Sequence, residues 1–358
     1  MRYCRGCAFP VAYGRFLEWT SDGTILGKDS SGTRLVYLDV DEIQNIFTGV
    51  SRWMGIPIDR IIYRAEKAVG RRFIETMVPG FIARAPRGKY ARPEFGIKAT
   101  ARFVFNYMAG LGMGLGEILE YHSTESARIR ITEAHSVPLV AGDGAGVFEH
   151  LERVGVDATW ERVKSDEYIV TLERVSDEPP AEDRLVLDET TTYLPGNIEY
   201  QRCKRCNVPL VVSNTVYLNL ERGILRNSTT GLRVVALPAQ SFYAVFRELF
   251  REFGKELPSV VESLEQRYTR ENTLVSYYVD GVEGGIERLF SDFAWKGIGN
   301  PIQVGNTERG LEVVVENPFH NEMVAGRIVG LYEALIEENV GATWTEQTPG
   351  SLTVTMRQ

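Results

Sequence analysis

Along this chain the rhythm of apolar and polar positions changes in the same order twice. Over residues 14–40, GRFLEWTSDGTILGKDSSGTRLVYLDV, apolar residues alternate with polar ones around the turn signals SDG and SSG. That spacing predicts a small antiparallel meander, and residues 214–238, NTVYLNLERGILRNSTTGLRVVALP, repeat it. The period then lengthens. Ile43, Ile46, Phe47 and Val50, like Phe242, Val245, Phe246 and Leu249, recur at three-to-four spacing before a closing glycine, Gly55 or Gly254, which predicts one helix in each half. Further helices are expected over 57–77 and 258–268, and over 99–109 and 285–295. In the last third of each half a glycine-rich turn leads into two alternating strands, an apolar helix and a closing hairpin. Helices followed by strands, with one helix between strand pairs, give an α+β class with a mostly antiparallel sheet.

The repetition is visible residue by residue. Adding 199 carries Cys4 to Cys203, Cys7 to Cys206, Pro10 to Pro209, Gly32 to Gly231, Arg34 to Arg233, Phe47 to Phe246 and Gly55 to Gly254. Toward the far end the offset is 184, where VAG at 140–142 meets VAG at 324–326 and ATW at 158–160 meets ATW at 342–344. The chain therefore reads as an internal duplication. Residues 1–174 form a first copy, with a Cys-x-x-Cys/β module at 1–40 and an α+β domain at 41–174. Residues 200–358 form a second, divided into 200–238 and 239–358. Between them 175–199 carry seven acidic residues against one basic residue and two adjacent prolines, which predicts an exposed linker. Two tandem copies are expected to pack as a pseudo-dimer.

The chain's only four cysteines fall in the two matched motifs, CRGC at 4–7 and CKRC at 203–206. In a cytoplasmic setting such pairs point to metal ligation rather than disulfides. A tetrahedral Zn²⁺ needs four ligands and one copy supplies two. Either Cys4, Cys7, Cys203 and Cys206 pool around one structural ion, or each pair is completed by another chain, or the pairs bind nothing. Pooling suits a duplicated unit best, and a four-thiolate set does not by itself choose zinc over iron. The redox reading is weaker, because reactive Cys-x-x-Cys pairs open a helix after a strand and here a hairpin is expected to follow.

Composition narrows the classes further. A net charge of −8 in 358 residues argues against a duplex-binding surface, so no nucleic acid partner is expected. No apolar run is long enough for a membrane span, and the opening MRYCRGC has no leader character, so a cytoplasmic location is expected. Chemistry is hard to place. There is no nucleophile elbow, phosphate loop or His-Glu-x-x-His motif. None of His122, His135, His150 and His320 falls opposite a histidine of the other copy. The sequence thus leans away from an enzyme.

The final third of each copy resembles the ligand-binding fold shared by 4-vinyl reductase-type (hydrocarbon-binding) domains, transport-particle subunits and haem nitric-oxide-binding domains. The likeness rests on the glycines before the first strand (Gly112 and Gly114; Gly297 and Gly299), the alternating strand (Ala127, Ile129, Ile131; Leu311, Val313, Val315) and the AG that opens an apolar helix (Ala141 to Leu151; Ala325 to Leu335). It covers roughly the last hundred residues of each copy. Two features depart from it. The terminal cysteine cluster usual in 4-vinyl reductase-type domains is missing from 141–174 and 325–358. Where the haem proteins have a Tyr-x-Ser-x-Arg run, Tyr121-His122-Ser123-Thr124-Glu125 ends in glutamate.

The likeness implies a small, partly apolar ligand, and one contrast between the copies adds a charge to it. Residues 84–102 hold six basic residues against Glu94 alone, whereas the matching 280–296 is mostly acidic. The expected site lies in the first copy. Arg84, Arg87, Lys89 and Arg92 would hold a carboxylate or phosphate, with the apolar part against Phe81, Phe103, Phe105, Tyr107 and Met108. The leading expectation is non-catalytic binding or sensing of a small amphipathic anion. The alternatives are a scaffold or assembly factor docking a protein partner through the cysteine modules, and an enzyme or accessory factor acting on a tetrapyrrole or acyl thioester. Homo-oligomerisation stays open.

Overall fold

A computed structural model of the chain describes residues 2–28, 32–77, 94–177, 192–272, 281–307 and 310–357. The expected α+β class is what it shows: among the described residues, ten helices and three sheets whose strand pairs are all antiparallel.

Chain order in the first half begins with a cysteine turn and a one-and-a-half-turn helix, α1 (Val11–Phe16). The alternation did not predict this helix. Pro10 presets φ at −64° at its start, and Leu17 at φ −119° ends it by entering the first strand. The meander follows as β1 (Leu17–Trp19), β2 (Ile25–Gly27) and β3 (Arg34–Asp39). Next comes α2 (Val40–Met54), where the Asp39 N–H donates to Glu42 at 3.4 Å and Gly55 closes the helix at φ 71°. Then α3 (Asp59–Met77), α4 (Glu94–Gly110), β4 (Leu115–His122), β5 (Ser126–Thr132), α5 (Val137–Glu152), β6 (Gly155–Lys164) and β7 (Glu167–Ser176) complete the half.

The second half runs through α6 (Leu210–Thr215), β8 (Val216–Asn219), β9 (Ile224–Asn227), β10 (Arg233–Pro238), α7 (Ala239–Phe253), α8 (Leu257–Asn272) and α9 (Gly281–Lys296). It closes with β11 (Asn300–Thr307), β12 (Gly310–Glu316), α10 (Asn321–Ile336), β13 (Gly341–Thr348) and β14 (Ser351–Arg357).

The two meanders fuse. Their strands form one six-stranded sheet in the order β1-β2-β3-β10-β9-β8, with Val36 opposite Leu237 and Leu38 opposite Val235 at the centre. Leu35 to Leu38 and Val234 to Leu237 are essentially inaccessible to water. Each such branched or aromatic side chain contributes roughly 1.5–3 kcal/mol of burial, so the seam between halves is part of the buried core. The remaining strands form two four-stranded sheets of matching order, β4-β5-β7-β6 and β11-β12-β14-β13. In β5 the inward residues are Ala127, Ile129 and Ile131, and in β12 they are Leu311, Val313 and Val315.

Helix α5 packs along α3, and α10 along α8. Glycines four residues apart permit the close approach: a Cβ on Gly146 would stand 2.2 Å from the Lys67 carbonyl oxygen, and one on Gly330 2.2 Å from that of Gln266. Other helices cross between halves, α2 against α8 and α3 against α7. At one crossing Arg327 of α10 is held between the buried carboxylates of Glu42 and Glu265, donating from Nε to Glu265 at 2.9 Å. The repeat-related positions are Asp143, Ser241 and Glu66. There Ser241 donates to Glu66 at 2.8 Å, and no arginine is present to neutralise the carboxyls.

Candidate metal centre

The two cysteine turns are built alike. In the first, the Cys4 N–H donates to Phe9 O at 2.8 Å and the Ala8 N–H to Cys4 O at 2.9 Å, which folds the segment back on itself. The second repeats both bonds, Cys203 N–H to Val208 O and Asn207 N–H to Cys203 O, each at 2.9 Å. The residue after the second cysteine of each pair takes the left-handed conformation, Ala8 at φ 56° and Asn207 at φ 64°. Asparagine tolerates that region and alanine less so. Such a turn aims both thiols of a pair to one side.

The halves set the two turns face to face. The Sγ atoms of Cys4 and Cys203 are 3.7 Å apart, those of Cys7 and Cys206 3.5 Å, and all four lie within 4.8 Å of one another. An ion bonded to four sulfurs at ~2.3 Å in a tetrahedron separates them by about 3.8 Å. Two of the spacings match a tetrathiolate site closely, and the four cysteines lie close enough together to bind a metal ion. Gly14 contributes to the approach: a Cβ there would fall 1.7 Å from the Cys206 carbonyl oxygen.

The local electrostatics divide the thiols. Backbone N–H groups, that of Gly6 foremost, hold Cys4 below the ordinary thiol range, and those of Arg205 and Cys206 bring Cys203 down to about 6. Burial pushes Cys7 up and Cys206 up to about 12. Each turn thus pairs a thiol that ionises more readily with one that burial keeps protonated, and a bound cation would release the proton of the second. Exposed Arg5, Lys204 and Arg205 sit in the turns themselves, where their charge would offset the excess of four thiolates over a divalent ion if one were bound.

The other expected site is only partly within the described residues. Phe81, Arg84, Arg87, Lys89 and Arg92 lie outside them. The rest come from α4, whose turn sends them two ways. Phe105 and Met108 line an interior, almost wholly apolar space of about 60 Å³ between α4, α5 and the sheet of β4, β5 and β7. Phe103 and Tyr107 border a separate depression of about 120 Å³ next to Tyr13 and Phe16, and Phe103 is exposed. A helical wheel separates 103 and 107 from 105 and 108, so this division is readable from the sequence. His135, fully buried with Nδ1 3.3 Å from Met113 O, is held down at about 4 by desolvation and stays neutral.

No protein family, curated protein or solved structure matches this chain. The fold and the site therefore define it: an α+β protein in which four cysteines from two distant turns meet in one candidate metal centre. Among the described residues no helix is long and apolar enough to cross a membrane.

Proposed function

We propose that the chain is a fused pseudo-dimer, two copies of one α+β unit clamped by a single structural zinc, which binds a small amphipathic molecule without transforming it. The observation that carries this reading is the meeting of four thiol sulfurs within 4.8 Å from turns 199 residues apart. Four thiolates fill a tetrahedral ion and leave no position for substrate, so the ion's role is structural.

The apolar space beside Phe105 and Met108 supports the ligand half of the proposal, as does the resemblance to hydrocarbon-binding domains. Its volume is below that of whole small-molecule sites, so it takes the tip of a chain or ring.

Elemental analysis with native mass spectrometry tests the clamp: one zinc per chain is expected, lost in Cys203→Ser together with a drop in melting temperature. Protein that is metal-free when prepared under reducing conditions with zinc present would overturn it. For the ligand, Gly144→Leu adds a side chain where the nearest neighbour of a new Cβ is Ile129 at 3.8 Å, filling the space with little clash. Wild type should melt higher with a medium-chain fatty acid and the variant should not. An equal shift in both removes the assignment to this space.

A further inference from the structure

Arg34 of β3 and Arg233 of β10 are repeat partners across the central seam, yet only one of them meets a carboxylate. Arg233 ion-pairs with Glu133, whose carboxylate is 3.4 Å from Nη1. The position matching Glu133 is Asn317, and both residues share the left-handed backbone, at φ 55° and 52°. Asparagine brings no charge. Arg34 instead donates to backbone carbonyls, Asn317 O at 2.6 Å and Gly297 O at 2.9 Å, with Ile298 O and Pro318 O at 3.4 Å. Among the described residues no carboxylate lies within ion-pair distance, and the buried Nε–H has no partner. A guanidinium only 3% exposed is thereby left without a counterion, an unfavourable state unless an anion arrives from outside.

The structure gives that anion a way in. Arg34 lines an open chamber of about 420 Å³, within the size range of small-molecule sites. Its walls are aromatic. Tyr193 lies under the Arg34 guanidinium at 5.5 Å, Tyr243 stacks on His320, and Phe250 stands beside them, 43% exposed. Gln240 contributes a buried Oε1 that lacks a donor. The other ionisable groups on the wall are Arg247, Glu322 and His320, with the Glu322 carboxylate 3.1 Å from the His320 ring. Desolvation holds His320 below its ordinary range, so the ring is neutral near pH 7 and adds no charge to that of Arg34. The first half has no such chamber by residue type, since Gln240, Tyr243, Arg247 and Phe250 correspond there to Asp41, Gln44, Thr48 and Ser51.

We propose that this chamber binds a small aromatic oxyanion, a flat ring carrying a carboxylate or phosphate. Arg34 serves as the counterion, Tyr243 and Phe250 hold the ring, and Gln240 accepts from a hydroxyl or amine on it. The site is separate from the apolar space of the first half and stands whether or not that space is used.

Isothermal titration of the whole protein with 1-naphthoate, 1-naphthyl phosphate and uncharged 1-naphthalenemethanol tests the proposal. At least one anion should saturate at one per chain with Kd at or below about 1 mM, at least about tenfold tighter than the alcohol. Whichever anion binds more tightly identifies the headgroup. Arg34→Met should weaken the anion about tenfold or more. Because that change also strips hydrogen bonds from several carbonyls, the exposed Tyr243→Ala and Phe250→Ala serve as the second pair, expected to weaken binding about fivefold with melting temperature unchanged. No saturation by any probe up to about 5 mM overturns the site, as does anion binding untouched by Tyr243→Ala and Phe250→Ala. Binding abolished by Gly144→Leu but preserved in Tyr243→Ala would sink this inference while sparing the function proposed above.

Discussion

Single side chains make the two halves unequal. Glu66 and Asp143 occupy the places that Glu265 and Arg327 hold in the other half. With a carboxylate where the arginine would be, burial and then the neighbouring Asp143 raise Glu66 well above the usual carboxylate range, and burial moves Asp143 up to about 7. The pair keeps protons in the folded chain that the unfolded chain releases near pH 4, so its contribution is complete below that pH and is lost as pH rises through about 7. Asp143→Asn removes that titration. Its stability should be closest to wild type at or below about pH 4 and exceed it increasingly toward pH 8, by an amount on the order of a few kcal/mol. A variant that melts lower than wild type at pH 8 would show that the carboxylate is ionised and stabilised there. Little of this was legible beforehand, because a polar residue inside an apolar helix face carries no sign of its partner. The cysteines were legible because identical spacing recurs in a chain that has no others.

At the scale of elements, the period of apolar positions located the long helices to within a few residues and the strands by alternation. It missed α1 and α6, six residues each, which are too short to establish a period and begin at Pro10 and Pro209. It also gave two meanders where one fused sheet exists, since alternation fixes which face of β3 is buried and not which strand lies beside it. Gly142 and Gly326 read as part of a family likeness in the sequence and, with Gly146 and Gly330, as a contact in three dimensions. Gly330→Ala should cost about 1–3 kcal/mol by overpacking against the Gln266 backbone, measured by urea unfolding with the slope unchanged. A neutral result would mean that α8 and α10 can separate without penalty.

For the whole molecule, the β3–β10 ladder, the α2–α8 and α3–α7 crossings and the cysteine cluster all join one half to the other. The covalent connection through 175–199 is therefore redundant once the chain has folded. A protease site placed between Glu182 and Asp183 should be cut without separating the halves on gel filtration, and separation should require denaturant. Halves that elute apart after cutting in buffer would refute the seam.

The same seam has a consequence during synthesis. Strand β3 leaves the ribosome 199 residues ahead of its partner β10, which at roughly 5–20 residues per second is a wait on the order of 10–40 s. Throughout it, Leu35 to Leu38 offer an unpaired apolar edge, and Cys4 and Cys7 lack the two thiols they meet in the folded chain. On a crowded polysome the nearest complementary strand belongs to a neighbouring nascent chain, so the newborn first half is open to strand exchange with a sister copy until its own second half appears.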